Sequence, residues 1–328
     1  MPTLIQRLAA FAALPAAALA LTATHTAQAQ SWPAQPIRWI VPYPAGGGAD
    51  VVARTVTAGL EKSLGQTIVV ENRPGAATII GATAISQAEP NGYMIGTADS
   101  GTLAFNPSLY AKLSYDPAKF TYVGGLARFP LLLAVNVNSK FKTVDDVIAA
   151  ARKEPGTLSA ASAGAGSPHH LALELFKQRA NVNVLHVPYK GAAPAIQDLL
   201  GGQVDLMFID LAAGLPNVKA GKLRVLAAAT PQRLKVLPDV PTMAEQNIAD
   251  FTAYAWQGVV GPAGLPQTVV DKLSADLAQT LKTPAVAQKL EDMGVEPMPL
   301  SPQEFKTYAE RERATWAEVI KKAGIKLE

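Results

Sequence analysis

The chain has 328 residues, of which 49% are hydrophobic and 17% charged, with a formal net charge of +3 and no cysteine. This length and composition permit a large core and suggest two domains or lobes. The absence of any run of five or more Lys and Arg residues argues against nucleic-acid binding, and the lack of cysteine excludes thiol catalysis and Cys-ligated metals.

The first 29 residues have the features of an export signal. Arg7 supplies a positive charge, residues 8–21 are apolar and Ala-rich, and Ala27-Gln28-Ala29 matches an A-x-A cleavage site. We therefore expect residues 1–29 to be cleaved and the mature chain to be periplasmic. The alternative, an N-terminal membrane anchor, is disfavoured because the apolar run is short for a bilayer span.

Residues 37–54 predict a strand, a glycine-rich turn and a helix start. Residues 37–41 are mostly apolar, whereas residues 42–48 contain two prolines and three glycines and cannot continue a strand. A helical period of apolar residues begins at Ala49. The first N–H groups of a helix lack intrahelical partners, and glycines let a ligand approach them. The turn is therefore either an anion site, for phosphate or carboxylate, or a tight connection without a ligand.

The alternation of strand and helix continues along the chain. Strands are predicted at residues 67–71 and 93–97, with a helix at 76–88 between them. This pattern predicts a parallel, doubly wound sheet. Ligands bind beyond the carboxyl ends of the strands in such sheets, where the 44–50 turn and the polar 98–102 segment both lie.

The chain is predicted to cross to a second lobe near residue 129 and to return near residue 228. Separate strands are expected at 122–126 and 131–137, and the return strand at 223–229. In between, the small-residue loop 162–167 leads into a helix with Ser167 as N-cap and Pro168 at its first position. This loop repeats the opening turn. The predicted domains are residues 30–128 plus 229–328 for lobe 1 and 129–228 for lobe 2, with a cleft and a hinge between them.

The motifs of several cofactor and enzyme classes are missing. A dinucleotide fingerprint fails because Val51 and His169 occupy the third glycine positions, and neither a P-loop nor a Gly-x-Ser-x-Gly motif is present. No cofactor is predicted. No metal is predicted either, because the adjacent His169 and His170 would project about 100° apart on a helix.

Several polar residues have both a structural and a functional interpretation. Asp50 either stabilises its helix N-terminus or contacts a ligand, and Asp210 is either a helix N-cap or a group that closes a pocket. Tyr189 is either a core residue or a cleft wall, and Arg54 and Arg73 are expected to belong to the scaffold. A Ser167–His170–Asp210 triad is imaginable, although Ser167 is better explained as an N-cap.

Five stretches together resemble one known family over essentially the whole mature chain. They are Trp39-Ile40-Val41-Pro42-Tyr43-Pro44-Ala45-Gly46-Gly47-Gly48-Ala49-Asp50-Val51-Val52-Ala53-Arg54, Val69-Val70-Glu71-Asn72-Arg73-Pro74-Gly75-Ala76, Ser162-Ala163-Gly164-Ala165-Gly166-Ser167-Pro168-His169-His170-Leu171, His186-Val187-Pro188-Tyr189-Lys190-Gly191 and Leu237-Pro238-Asp239-Val240-Pro241-Thr242. They resemble the Bug (Bordetella uptake gene) family, the extracytoplasmic solute-binding receptors of tripartite tricarboxylate transporters.

The resemblance implies an α/β fold of the type II periplasmic binding protein kind, with two lobes, a parallel-rich sheet flanked by helices in each, and a cleft and hinge between them. It also implies that a ligand carboxylate is held by backbone groups of the 44–50 and 164–170 loops, partly through ordered water. The 98–102 loop and Asp210 would then discriminate the rest of the ligand. The site residues expected on this basis are Pro44, Ala45, Gly46, Gly47, Asp50, Ser100, Gly101, Thr102, Ala163, Gly164, Gly166, Ser167, His170, Tyr189 and Asp210.

The chain departs from the family at the 98–102 loop. Many relatives carry His after the Gly-Thr of this loop, whereas this chain has Leu103, and it also has the acidic Asp99 there. An inward-pointing Asp99 would disfavour a second ligand carboxylate.

The sequence therefore predicts a receptor and not an enzyme. We expect a monomer that captures a small carboxylate by hinge closure and delivers it to integral-membrane permease subunits, without nucleic acid. Two alternatives remain open at this point. They are a secreted serine-type hydrolase using Ser167, His170 and Asp210, and a periplasmic sensor domain that presents its ligand to a signalling partner.

Overall fold

The computed structural model describes residues 32–328, so the predicted signal segment 1–29 lies outside the described residues. The strands in residues 32–328 are β1 (Ile37–Val41), β2 (Ile68–Asn72), β3 (Met94–Asp99), β4 (Thr121–Asn136), β5 (Ser159–Ser162), β6 (Leu185–Pro188), β7 (Leu206–Asp210), β8 (Leu223–Ala228), β9 (Tyr254–Gly261) and β10 (Glu296–Pro297). The α-helices are α1 (Gly48–Leu64), α2 (Ile79–Ser86), α3 (Asn106–Leu109), α4 (Val144–Lys153), α5 (Pro168–Ala180), α6 (Ala192–Leu200), α7 (Leu211–Lys219), α8 (Gln267–Lys282), α9 (Pro284–Asp292) and α10 (Pro302–Ala323).

The strands form two groups that share β4. In the first group β2, β1 and β3 are parallel neighbours, and β9 pairs antiparallel with both β3 and the first half of β4. In the second group β6, β5 and β7 are parallel, and the second half of β4 pairs antiparallel with β7 and β8. Each group thus has a parallel part and an antiparallel part that adjoins β4, which agrees with the parallel-rich sheets predicted.

Helices cover both faces of each group, because the buried strands present apolar side chains on both sides. In the first group, α1, α8 and α9 pack on one face, while α2 and α10 cover the other. In the second group, α4 and α5 cover one face and α6 and α7 the other. This layered arrangement brings the carboxyl ends of β1, β3, β5 and β7 to the loops predicted to bind ligand.

The prediction of two strands separated at residues 127–130 was wrong, since β4 is one strand of sixteen residues. Pro130 stands opposite Tyr254 at the end of the β9 pairing, and the next residue, Leu131, opens the pairing with β7 at Asp210. Proline has no N–H to donate to a ladder, so it is tolerated where the strand changes partners. The strand therefore continues from one group to the other without a loop.

Two further predictions along the first group need correction. The polar segment 98–102 is not a loop, because β3 runs to Asp99 and one turn of π-helix, Gly101–Phe105, follows. The helix predicted at 76–88 begins only at Ile79, because Ala76, Ala77 and Thr78 all have left-handed backbone conformations, with φ of 45°, 49° and 74°. Non-glycine residues pay about 1–2 kcal/mol for this conformation.

Three segments meet where the chain passes between the two groups. The N–H of Ala229 donates to the carbonyl of Leu131 at 2.8 Å, and the N–H of Ala253 donates to the carbonyl of Ala229 at 2.9 Å. The N–H of Leu131 in turn donates to the carbonyl of Ala253 at 3.3 Å. These backbone hydrogen bonds join the three segments at the point where β4 passes from one group to the other.

The C-terminal helix α10 contacts both groups. It begins with a capping box, in which the side chains of Ser301 and Glu304 each accept a hydrogen bond from the other's backbone N–H. Arg313 Nε donates to the carbonyl of Leu103 at 2.8 Å, and Gln178 Nε2 of α5 donates to the carbonyl of Val319 at 2.9 Å. None of the helices in residues 32–328 has both the length and the apolar character needed to cross a bilayer.

Candidate functional site

The 44–50 loop is held from beneath by Asp50. Its Oδ2 accepts the backbone N–H of Gly46 at 2.8 Å, its Oδ1 accepts Asn72 Nδ2 at 2.8 Å, and Arg54 Nε lies 3.0 Å from both oxygens. Burial of Asp50 opposes ionisation, but the hydrogen bonds from Arg54, Gly46 and Asn72 outweigh it, so the pKa of the carboxyl falls below its usual value. Asp50, which was predicted either to stabilise the helix or to contact ligand, is 1% exposed and turned into the loop.

The rest of the 44–50 loop, on the other side from Asp50, is exposed at the surface. Residues 44–48 are exposed, and α1 begins at Gly48 with Gly47 as an N-cap that makes no side-chain capping bond. The first N–H groups of α1 therefore receive no acceptor from a capping side chain. Such groups carry partial positive charge and suit an anion.

The 163–170 loop has the same construction in the second group. The backbone N–H of Gly166 donates to His170 Nδ1 at 3.0 Å, and Ser167 Oγ, the predicted N-cap, accepts the N–H of His170 at 3.3 Å. His170 is 5% exposed, so it supports the loop from below as Asp50 does. A Cβ atom at Gly166 would come within 2.8 Å of Leu109 and 2.9 Å of Leu327, which shows that the loop lies against the first group.

A second histidine packs beneath this loop. The rings of His170 and His186 are stacked with centroids 3.7 Å apart, and His186 Nε2 lies 2.6 Å from Ser162 Oγ. Burial and the neighbouring His170 lower the pKa of His186 to about 4. His186 is therefore neutral near pH 7. The stack ties the start of α5 to β6.

Asp210 sits at the N-terminus of α7. Its Oδ1 accepts the N–H of Ala213 at 2.8 Å, and His169 Nε2 lies 3.3 Å from its Oδ2. Burial raises the pKa of the Asp210 carboxyl, but the contacts with His169 and the N–H of Ala213 outweigh this effect. The pKa is therefore below its usual value. The N-cap interpretation describes this geometry.

The residues of the imagined hydrolase triad are not arranged as one. His170 uses Nδ1 to bind Gly166, Asp210 contacts His169, and the Ser167 hydroxyl accepts a backbone N–H. Among residues 32–328 no group of three or more His, Cys, Asp or Glu side chains is arranged to hold a metal ion.

Tyr189 joins the end of β5 to α6. Its N–H donates to the carbonyl of Ser162 at 3.0 Å, and its hydroxyl donates to Asp198 Oδ2 at 2.7 Å. This hydrogen bond raises the pKa of Tyr189 to about 12. Gly191 follows, and its N–H donates to the carbonyl of Ala163 at 3.1 Å. The structure thus brings Ala163, Tyr189 and the start of α6 together.

The 98–102 segment is joined to the opening loop through residues that the sequence analysis did not assign to the site. Asp99 accepts the hydroxyl of Tyr43, and its Oδ1 accepts both the N–H and the hydroxyl of Thr102, at 2.9 and 2.8 Å. Ser100 and Thr102 are each 1% exposed, and Gly101 is partly exposed. Tyr43 and Asn72 lie at the ends of predicted strands, so the sequence could have indicated that they adjoin the site. Thr78, whose hydroxyl lies 2.8 Å from that of Thr102, has no such indication in the sequence.

A cavity of about 800 Å³ lies elsewhere, among α5, α10 and residues 250–254. None of the fifteen predicted site residues lines it. It is bordered by charged residues of both signs, such as Arg128, Arg311 and Glu318. The loops predicted to bind ligand and this cavity are therefore separate features.

Two groups of strands joined through β4, with glycine-rich loops before α1 and α5, define a two-lobed solute-binding protein of the periplasmic type. The sequence profile of the family described as "Tripartite tricarboxylate transporter family receptor" matches residues 52–325. The chain belongs to this family, which confirms the resemblance found in the sequence. The family and the fold are those of solute-binding receptors and not of enzymes.

Individual relatives match over nearly the full length. BugT of Bordetella pertussis is 34% identical over 304 residues, which cover 91% of this chain and 92% of BugT. The structure of Rpa4515 from R. palustris with adipate is 36% identical, with a TM-score of 0.83 and coverage of 90% of this chain and 100% of that one. MatC from Rhodopseudomonas palustris with bound malate is 32% identical, with a TM-score of 0.79 and coverage of 88% and 99%.

Proposed function

We propose that this receptor captures a small carboxylate in the periplasm and delivers it to the permease subunits of its transporter. Adipate and malate, in Rpa4515 and MatC, support a carboxylate as the ligand class. Cleavage after residue 29 would release the mature receptor, which we expect to act as a monomer.

The observation that carries the proposal is the exposed N-terminus of α1. Gly47 provides no capping side chain, while Asp50 and Gly46 fix the loop around it. A ligand carboxylate placed there would accept backbone N–H groups that are already oriented, so binding would need little reorganisation.

The second half of the clamp is the 163–170 loop, which approaches from the other lobe. We propose lobe 1 as residues 30–128 and 229–328, and lobe 2 as residues 129–228. Closure would bend the segments at Leu131, Ala229 and Ala253, where hinge motion needs only small backbone changes. The carboxylate would then lie between the two loops and away from water.

The proposal is tested by titration calorimetry and thermal shift with mono-, di- and tricarboxylates, aromatic acids and amino acids. We expect saturable 1:1 binding of at least one acid and loss of binding by its methyl ester, because the ester removes the charge that α1 would hold. Failure of every acid to bind, or equal binding of acid and ester, would contradict the proposal.

A further inference from the structure

A continuous chain of hydrogen bonds lies at the carboxyl ends of β1, β2 and β3. Thr78 Oγ1 lies 2.8 Å from Thr102 Oγ1, which lies 2.8 Å from Asp99 Oδ1, and Tyr43 OH binds Asp99 Oδ2. Thr78, Asp99 and Thr102 are at most 6% exposed. This network, which we call the Asp99 network, joins three segments next to the 44–50 loop.

The direction of each hydrogen bond follows from the chemistry of the groups. A carboxylate has no proton and only accepts, so the hydroxyl protons of Thr102 and Tyr43 both point at Asp99. Because the Thr102 proton is used in this way, the bond between the two threonines must be donated by Thr78. All three hydroxyl protons are therefore committed inside the network.

The proton on Tyr43 is firmly held. Burial, together with the charge and the hydrogen bond of Asp99, raises the pKa of Tyr43 well above its usual value. With these protons committed, the groups that remain in the network are hydroxyl lone pairs and one negative charge. It has no hydroxyl donor left for a second anion.

The network is rigidly attached to the proposed carboxylate clamp. Asn72 Nδ2 donates both to the carbonyl of Tyr43 at 3.0 Å and to Asp50 Oδ1 at 2.8 Å, so one amide links it to the support of the 44–50 loop. A Cβ atom at Gly101 would lie 3.4 Å from both oxygens of Asp99. Glycine at this position leaves that side of the carboxylate without a covering side chain.

We infer that the ligand carries a single carboxylate and, at the end that reaches the Asp99 network, a hydroxyl or ammonium group that donates hydrogen bonds. This inference rests on the proposed function and narrows its ligand class. A second carboxylate at that end would meet the charge of Asp99 and acceptor oxygens, whereas a donor group would meet partners for its protons. The ligand thus differs in kind from the dicarboxylates seen with Rpa4515 and MatC.

Calorimetry with matched ligands tests the inference. Succinate, 4-hydroxybutanoate and 4-aminobutanoate form one series, and adipate, 6-hydroxyhexanoate and 6-aminohexanoate form a longer one. In the series that binds, we expect a donor-ended acid to bind the wild-type receptor at least about tenfold more tightly than the dicarboxylate, as repulsion between partly buried charges would give.

The variant Asp99→Asn keeps the shape of the side chain and removes its charge. We expect it to bring the two affinities to within about threefold of each other. Asp145→Asn removes an exposed charge on α4 and serves as the matched control, with wild-type discrimination expected. If Asp99→Asn fails to fold, the ratio of the two affinities in the wild-type receptor still tests whether a donor-ended acid is preferred.

Each outcome has one meaning. If the dicarboxylate binds the wild-type receptor as tightly as its donor-ended partners, the inference is wrong and the proposed carboxylate receptor stands. Equal discrimination by folded Asp99→Asn and the wild-type receptor would also overturn the assignment to Asp99. If neither series binds, the inference is wrong, and if no carboxylate of any class binds, the proposed function fails as well.

Discussion

The backbone N–H of Gly46 donates to the Oδ2 atom of Asp50 at 2.8 Å, which ties a left-handed glycine to the first turn of α1. Gly166 and His170 repeat this relationship at 3.0 Å at the start of α5. In both cases the acceptor is the third helical residue and the donor lies four residues before it. The two loops thus share one geometry but use acceptors of different chemistry.

The Gly46–Asp50 hydrogen bond predicts that substitutions of Asp50 weaken both ligand binding and the stability of the fold. We expect Asp50→Ala to weaken carboxylate binding at least about tenfold and to destabilise the fold by about 1–3 kcal/mol, because three donors lose a buried acceptor. Asp50→Asn, which keeps one oxygen, should lose less of both. Chemical denaturation and calorimetry measure the two quantities. Equal affinity of Asp50→Ala and the wild-type receptor would show that the loop does not depend on this contact.

At His170 a matched pair of variants separates the hydrogen bond from the ring. Asn places its side-chain oxygen near the position of Nδ1, so His170→Asn should keep the bond from Gly166 and most of the ligand affinity. His170→Ala should lose about 1 kcal/mol or more of binding free energy, because the N–H of Gly166 loses its acceptor. Calorimetry on both variants checks this, and equal losses in the two would contradict it.

Gly47 tests the exposed backbone without disturbing the fold. Its φ is −74°, and a Cβ atom there would meet only the carbonyl oxygen of Pro44, at 3.4 Å. Gly47→Val should therefore fold with little change in melting temperature and lose binding, because its side chain would crowd the N-terminus of α1. Gly201→Val, at the end of α6 and also 3.4 Å from a carbonyl oxygen, is the control that should bind normally. Undiminished affinity of Gly47→Val would refute the role of this loop.

The stacked histidines predict a dependence of stability on acid. The pKa of His186 is lowered to about 4 in the folded chain from an ordinary value of 6.5. Between these values the unfolded chain binds more protons, so His186 contributes stability above pH 6.5 that is lost as the pH falls towards 4. Because the ring is only partly buried, solvent screening reduces this loss to about 1–2 kcal/mol. Denaturation of His186→Gln and the wild-type chain across this range should give a shallower slope for the variant, and parallel slopes would exclude His186 as the cause.

Local signals in the sequence were enough to predict several elements correctly. The strand at Ile37–Val41 has the predicted bounds, and Ser167 is the predicted N-cap of α5. These features depend on short apolar runs and on capping chemistry, which act within a few residues. The sequence therefore predicted where β1 ends and where α5 begins, the elements that flank the two glycine-rich loops.

Features that depend on distant partners were missed. Pro130 suggested a strand end, but β4 continues because it exchanges β9 for β7 and β8 there. Asp99 looked like a loop residue, but pairing with Gln257 extends β3 to include it. The left-handed conformation of residues 76–78 is held by Asn106, which donates to the carbonyl of Ala77 at 2.8 Å, and by Thr102. Such contacts join residues far apart in sequence, and no local period reports them.

A crystal structure with the tightest-binding carboxylate tests the central proposal most directly. We predict a carboxylate oxygen within about 3.5 Å of a backbone N–H in the first turn of α1, either directly or through one water, with the 163–170 loop closed over the other side. A ligand bound in the cavity between α5 and α10, or one held without contact to the 44–50 loop, would contradict the account.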